Sequence, residues 1–251
     1  MSTFILKLIA CITMLADHIG WFSFVGYPEL GNVLRAFGRI SFPIFCYLIA
    51  FGFRKTHNQY LYLLRLIIVG LISELPYNYC FHSELSFDFN NVYFTLALGL
   101  LSIIVYNFML RFGRWLQRLA LVPTVIFALI AALLGTDYGA YGVILIVLFY
   151  FAGNNKVWIT VSCALFSCRK IIDVLLAQLL QAESIASVEI SDWSMMQLFA
   201  VFAVVPILCC NGERGPQPKS KLGKAFIKYA FYFFYPIHLL VIGIIMRKFI
   251  M

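Results

Sequence analysis

The chain has 251 residues, 63% of them hydrophobic and only 12% charged, about half the charged fraction of a soluble globular domain. Mean hydropathy is +0.91, and apolar stretches of membrane-spanning length recur from end to end, which excludes a soluble fold and predicts an all-α, polytopic integral membrane bundle occupying residues 1–251 as one domain. The formal charge of +8 does not indicate a nucleic-acid binder, because the sequence leaves no polar domain on which basic residues cluster into a face.

Breaks rich in charge, Gly, Pro and Asn divide the chain into nine predicted helices: 4–25, 32–53, 60–80, 92–110, 119–134, 138–152, 157–180, 194–210 and 225–246. The first carries Lys7 ahead of an apolar run and so imitates a signal peptide, but Asp17 and His18 interrupt that run and further spans follow; it is read as a retained helix. The second opens on Arg35 and Arg39, the third holds Glu74, and the fourth opens on Asn91 and Thr95. Segments 119–134 and 138–152 are short for a crossing of about 20 residues and are separated only by Gly135, Thr136 and Asp137, so they either cross or form a re-entrant hairpin. Asp137 is expected to cap the start of the latter. The seventh holds Arg169, Lys170 and Asp173, the eighth Gln197, and the ninth Tyr235 and His238; Pro43, Pro206 and Pro236 are read as lying within helices. The seven cysteines include no CxxC pair, so no disulfide framework and no metal site is expected.

Short basic loops resist translocation, so their distribution predicts orientation. Lys7, Arg54, Lys55, Arg65, Arg111, Arg114, Arg118, Lys156, Arg214, Lys219, Lys221, Lys224 and Lys228 fall on one side. The opposite connections carry Glu29, Glu84, Asp88, Asp137, Glu183, Glu189 and Asp192 and no basic residue. The N-terminus is therefore expected in the cytoplasm and the C-terminus outside, with Arg247 and Lys248 the mild exception.

Four basic residues, Arg35, Arg39, Arg169 and Lys170, fall inside predicted helices and face four candidate partners, Asp17, Glu74, Asp137 and Asp173. Each ionised group costs about 2.5–3.5 kcal/mol at a helix centre on insertion scales and must face the bundle or a wet cavity. On the predicted topology these groups, with His18, Asn91, Thr95, Gln197 and His238, converge on the outer half of the bilayer. Such a layer is either a neutral network locking helices together or a substrate or ion path. An imidazole titrates near neutral pH, so His18, with His238 in reserve, is the candidate general base. Adjacent helical residues point about 100° apart, so Glu74 or Asp137 is better placed than Asp17 to orient His18. Arg35 and Arg39, or Asn91, are candidate oxyanion donors. The polar loop from Asn211 through Arg214 to Lys219 and Lys221 is either a product of positive-inside retention or a cradle for a phosphate-bearing ligand.

The segments LKLIACITMLADHIG, LRAFGRISFPIFCYLIAFGF, LLRLIIVGLISELPYN, NNVYFTLALGLL, TDYGAYGVILIVLFY, QLFAVFAVVPILCCNGERG and YAFYFFYPIHLL together resemble the TraX family over nearly the whole chain. The resemblance implies a membrane acyltransferase: the family takes its name from a conjugation protein that acetylates the amino terminus of F-type pilin. Asp17, His18, Arg35, Arg39, Glu74, Asn91, Thr95, Asp137, Tyr138, Gln197, Asn211, Arg214, Tyr235 and His238 sit on the resembling segments. The implied donor is acetyl-CoA, and the implied acceptor is a peptide amine or an envelope sugar at the outer face of the lipid bilayer. A transporter or permease with an intramembrane charged path is the alternative, and a non-catalytic scaffold comes third.

Overall fold

A computed structural model describes residues 1–23, 26–82, 86–179, 195–215 and 218–249. Glu84, Glu183, Glu189 and Asp192, counted above on the acidic side, lie outside the described residues. Among those described the chain is entirely helical: α1 Thr3–Ser23, α2 Pro28–Gly38, α3 Ser41–Lys55, α4 Gln59–Phe81, α5 Val92–Met109, α6 Arg114–Arg118, α7 Val122–Leu133, α8 Gly139–Ala152, α9 Lys156–Ser167, α10 Arg169–Leu179, a 3₁₀ segment Gln197–Ala203, α11 Val204–Leu208 and α12 Lys221–Phe249. The chain forms two compact units, Met1–Phe45 with Asn154–Gly215, and Cys46–Gly153 with Pro216–Met251.

Local chemistry sets the helix ends. Pro28 opens α2 where a missing N–H is harmless, with Glu29 in its first turn and Arg35 in its last, each sign complementing the helix dipole. Asn58 caps α4 by accepting from Leu61 N at 2.8 Å, Asn91 caps α5 through Tyr93 N at 3.0 Å, and Asn155 caps α9 through Val157 N at 3.0 Å. The α7–α8 turn has Gly135 (φ 65°), Tyr138 (φ 64°) and Gly139 (φ 45°) in left-handed conformation, so Asp137 does not cap α8; Tyr138 occupies that position.

Among the described residues, five helical stretches are long and apolar enough to cross a membrane: Thr3–Ser23, Pro28–Lys55, Gln59–Phe81, Val92–Met109 and Leu222–Lys248. Their side chains are sorted inside out relative to a soluble bundle. On α4, Leu61, Leu64, Ile68, Leu71, Ile72 and Leu75 are exposed, whereas Gly70, Ser73, Glu74 and Asn78 are buried. That is the distribution expected where lipid is the outer solvent and small or polar residues form the helix contacts.

Several expectations are corrected. Helix 157–180 breaks at Cys168 into α9 and α10, so Arg169, Lys170 and Asp173 lie on a separate helix, not at the middle of a span. Segment 194–210 begins as a 3₁₀ helix over Gln197–Ala203, which with α11 makes an apolar stretch of 12 residues. Stretches α7, α8 and α9 have 12, 14 and 12 residues, about 18–21 Å at 1.5 Å per residue, less than the roughly 30 Å hydrocarbon core. Lys7 lies on α1 rather than before it, and Arg39 sits at the α2–α3 turn. Pro43 falls in the first turn of α3, where it frees no carbonyl; Pro76 and Pro236 are the prolines inside long helices.

Within the second unit α4 packs antiparallel to α5 and parallel to α12: Gly70 meets Tyr93 and Phe94, Arg65 hydrogen-bonds Tyr232, and Gly243 lies on Tyr79 and Cys80. Helices α5 and α8 are also parallel, with Gly99 against Ile146 and, nearer their ends, Asn107 Oδ1 accepting from the Tyr150 hydroxyl at 2.9 Å. These directions are those that strict alternation of the predicted segments requires. Arg54 closes α8 by donating to the carbonyls of Phe149 at 2.9 Å and Tyr150 at 2.5 Å, supplying a cation and donors at a helix C-terminus.

Candidate functional site

In the first unit Asp17 is the centre of an ion cluster. Its carboxylate is bound by Arg39 Nη2 at both oxygens and by Arg35 Nη1 at 3.3 Å. Arg35 and Arg39 are four residues apart, so α2 presents both to one face. The approach depends on glycine. A Cβ at Gly38 would lie 2.2 Å from Asp17 Cβ and 2.6 Å from its Cα, and one at Gly20 would lie 2.9 Å from Leu34 Cβ. Arg35 also stacks its guanidinium 4.8 Å from the centre of the Trp21 ring, spreading its charge over an aromatic face. His18 follows Asp17 on α1 and is half-buried. Gln197 is 3% exposed, and its Nε2 is buried with no hydrogen-bond partner among the described residues.

In the second unit Glu74 is fully buried. One carboxylate oxygen accepts from Asn91 Nδ2; the other accepts from the Asn90 backbone N–H at 3.3 Å and Asn78 Nδ2 at 3.5 Å. Asn91 spends its second N–H on the Gly70 carbonyl at 2.9 Å and its oxygen on the α5 cap. Both of its donors are thus engaged, so Asn91 braces Glu74 and the Gly70 carbonyl against the start of α5. The network continues into the α7–α8 turn: Asn90 O accepts from Asp137 N at 2.7 Å, Thr95 Oγ1 donates to the Asp137 carbonyl, and Thr95 and Thr136 hydroxyls are 2.8 Å apart. Glu74, Asn91, Thr95 and Asp137, expected at one level, are brought together here.

His238 is 6% exposed. Its Nδ1 lies 2.7 Å from the Phe234 carbonyl; a carbonyl can only accept, so Nδ1 carries the proton and Nε2 is the basic nitrogen of the neutral ring. Phe234 stacks on this ring at 4.8 Å and Tyr235, 3% exposed, meets it edge-on at 5.7 Å. Tyr235 also packs on Tyr93 at 5.3 Å.

The loop that starts at Asn211 is ordered by the beginning of the chain. Thr3 N and Thr3 Oγ1 both donate to the Glu213 carbonyl, at 2.7 and 2.8 Å, and Asn211 N donates to Met1 O at 2.9 Å. Gly212 and Gly215 adopt φ of 76° and 78°, and Asn211 Oδ1 accepts from Glu213 N at 3.2 Å. Arg214 is exposed. Lys219 and Lys221 belong to the second unit. Among the described residues no group of three or more His, Cys, Asp or Glu is arranged to hold a metal ion.

Sequence reasoning missed Asn78, which shares the Glu74 network, and Gly38 and Gly20, which let Asp17 reach its arginines. Asn78 is four residues after Glu74, so the helical period was the available signal. The glycines carried none, because a close approach between two helices has no signature in one helix's pattern.

Long apolar helices that keep polar and charged side chains on their buried faces define a helical membrane protein. A family model described as TraX protein matches residues 2–246, and the chain belongs to that family. It is similar, at 30% identity over 247 residues covering 95% of this chain and 93% of the relative, to the "Probable fimbrial assembly protein FimC, serogroup H1" of Dichelobacter nodosus. It is also 33% identical over 95 residues, 38% of this chain and 34% of the other, to the "Uncharacterized protein RP591" of Rickettsia prowazekii (strain Madrid E). No solved structure matches the chain.

Proposed function

We propose that the chain is a membrane acyltransferase that moves an acyl group, in the simplest case acetyl from acetyl-CoA, to an amine or hydroxyl of an acceptor at the outer face of the bacterial inner membrane. Residues 1–251 work as one catalytic domain of about nine crossings, with the N-terminus in the cytoplasm and the C-terminus outside. The observation that carries this reading is membership of a family linked to pilin acetylation. The fimbrial-assembly role in a relative's name makes a pilin-like amino terminus the first acceptor to try, and an envelope sugar the second.

The chemistry required is attack of the acceptor nitrogen or oxygen on the thioester carbonyl, with the C–S bond breaking and the CoA thiol leaving with the acceptor's proton. His18 is the proposed base and His238 the reserve, its Nε2 being the basic nitrogen. Arg35 and Arg39 supply positive charge for the oxyanion; both already meet at Asp17, and each guanidinium has five N–H donors to distribute. Gln197 contributes to acceptor binding, its Nε2 being a buried donor suited to a carbonyl or hydroxyl. For the donor's phosphates, the exposed Arg214, between glycines whose left-handed backbone turns the loop, has suitable charge and geometry, joined by Asn211.

The test is purified protein with labelled acetyl-CoA and candidate acceptors. Covalent transfer that is lost in His18→Ala, while the variant still inserts, is the expected result. Solute flux in liposomes with no covalent product would replace the enzyme by a transporter.

A further inference from the structure

The positive charge on Arg65 is not balanced by an acid. Arg65 lies six residues into α4, about 9 Å along the helix from Gln59, within a stretch long and apolar enough to cross a membrane. Its guanidinium meets the Tyr232 hydroxyl of α12, and among the described residues no Asp or Glu forms an ion pair with it. The sequence of the second unit explains why: no Asp or Glu occurs in 46–73, 89–136 or 216–251. The next acid along α4 is Glu74, nine residues and about 14 Å further on, and its carboxylate is already engaged by Asn78, Asn91 and the Asn90 backbone.

Donors gather around this charge. Tyr62, three residues before Arg65 on α4, lies beside both Arg65 and Tyr232, and a Cβ at Gly52 of α3 would stand 3.0 Å from its hydroxyl oxygen. The Tyr93 hydroxyl donates to the Tyr232 carbonyl at 3.1 Å, which fixes α12 at this level. Lys228, exposed and one turn before Tyr232, holds its ammonium 5.2 Å from the centre of the Tyr229 ring. The Tyr232 oxygen that faces Arg65 keeps its own O–H to donate. Beside these groups α4 is apolar: Ile68 and Ile72, three and seven residues after Arg65 and so on the same edge of the helix, are exposed.

We propose that Arg65, Tyr62, Tyr232 and Lys228 bind the phosphate of an anionic phospholipid whose acyl chains lie along Ile68 and Ile72. A cation within an apolar span is costly unless partnered, and with no acid in reach the counter-charge comes from outside the chain. A guanidinium fork, two hydroxyls and an ammonium make the crevice rich in donors. A phosphodiester answers them: its two unesterified oxygens take the fork side by side and keep lone pairs for the hydroxyls. A soluble phosphate would have to leave water to enter the span. A phospholipid already holds its phosphate at the membrane boundary, within reach of a long basic side chain, and covers the isoleucines with hydrocarbon. The site stands whether or not the chain transfers acyl groups.

The experiment uses the full chain purified in a nonionic detergent, with dioctanoyl phosphatidylglycerol as the probe. Dioctanoylglycerol, which lacks the phosphate, and glycerol phosphate, which lacks the chains, are the controls. Thermal unfolding is followed by a thiol-reactive fluorogenic maleimide, which reports exposure of the buried Cys11, Cys46, Cys80 and Cys163. The phospholipid is expected to raise Tm with saturation and the controls to leave it unchanged. Arg65→Gln should weaken the phospholipid at least about tenfold, as loss of a charged hydrogen-bond partner does. Tyr232→Phe, which removes a single oxygen and reads the same site should Arg65→Gln fail to fold, should weaken it several-fold. Arg114→Gln removes the same charge from the exposed α6 and should change nothing. Three outcomes would each overturn the site: no saturable stabilisation of wild type, equal affinity in wild type and Tyr232→Phe, or a loss in Arg114→Gln as large as in Arg65→Gln. Displacement of the phospholipid by CoA at matching concentration would hand the phosphate contact to a soluble ligand and overturn the lipid.

Discussion

Replacing Gly38 by Ala tests whether the Asp17 cluster is set by helix proximity. An added Cβ would lie 2.2 Å from Asp17 Cβ and 2.5 Å from Asp17 Oδ1, whereas carbon atoms in contact sit about 3.5–4.0 Å apart. Helices α1 and α2 must therefore separate locally by about 1.4 Å, a shift taken up by backbone because the nearest atoms include Asp17 Cα at 2.6 Å. The Arg35–Asp17 contact, 3.3 Å at present, would open to about 4.7 Å, outside the roughly 4 Å range of an ion pair. Overpacking costs about 1–3 kcal/mol, and Asp17 loses Arg35 while keeping Arg39. The variant should thus unfold well below wild type in the maleimide assay, and any His18-dependent transfer should fall with it. Gly113→Ala is the control, since nothing lies within 4 Å of that position. If the two variants unfold at the same temperature, the close approach of α1 and α2 does not hold the cluster, and the argument built on it fails.

Other outcomes follow from the same geometry. Arg39→Ala should destabilise more than Arg35→Ala, because Arg39 meets both carboxylate oxygens of Asp17 and Arg35 only one; equal losses in thermal unfolding would contradict this. Thr95→Val removes the hydroxyl that ties α5 to the α7–α8 turn and should cost about 1–3 kcal/mol, with Thr95→Ser restoring most of it. Gly99→Ala would place a Cβ 2.4 Å from Ile146 Cδ1, so Ile146→Val, which removes that methyl, should rescue it. The pair is expected to be less destabilised than the sum of the singles by about 0.5 kcal/mol or more, and strict additivity in a double-mutant cycle would refute the contact. Arg54→Leu should loosen the end of α8, whose Phe149 and Tyr150 carbonyls it holds, read as faster amide exchange there than in α5.

Composition and periodicity alone determined that the chain is helical and made for lipid: a residue set 63% hydrophobic leaves no other solvent for its surface, and each predicted segment contains a helix. Charge in apolar helices likewise marked Asp17, Arg35, Arg39 and Glu74 as groups needing partners, since an unpartnered charge in a membrane is so costly. Pattern could not assign the partners. Asp17 pairs with arginines 18 and 22 residues away because two glycines let α1 and α2 approach, and Glu74 is satisfied by asparagines rather than by a cation. The break at Cys168, the 3₁₀ turn at Gln197 and the left-handed Tyr138 were equally invisible, because each is a backbone compromise imposed by what packs against it. Hydrophobicity is a property each residue brings with it, so one-dimensional order suffices to read the class of protein. Pairing is decided by distance in space, and only the folded chain sets that distance.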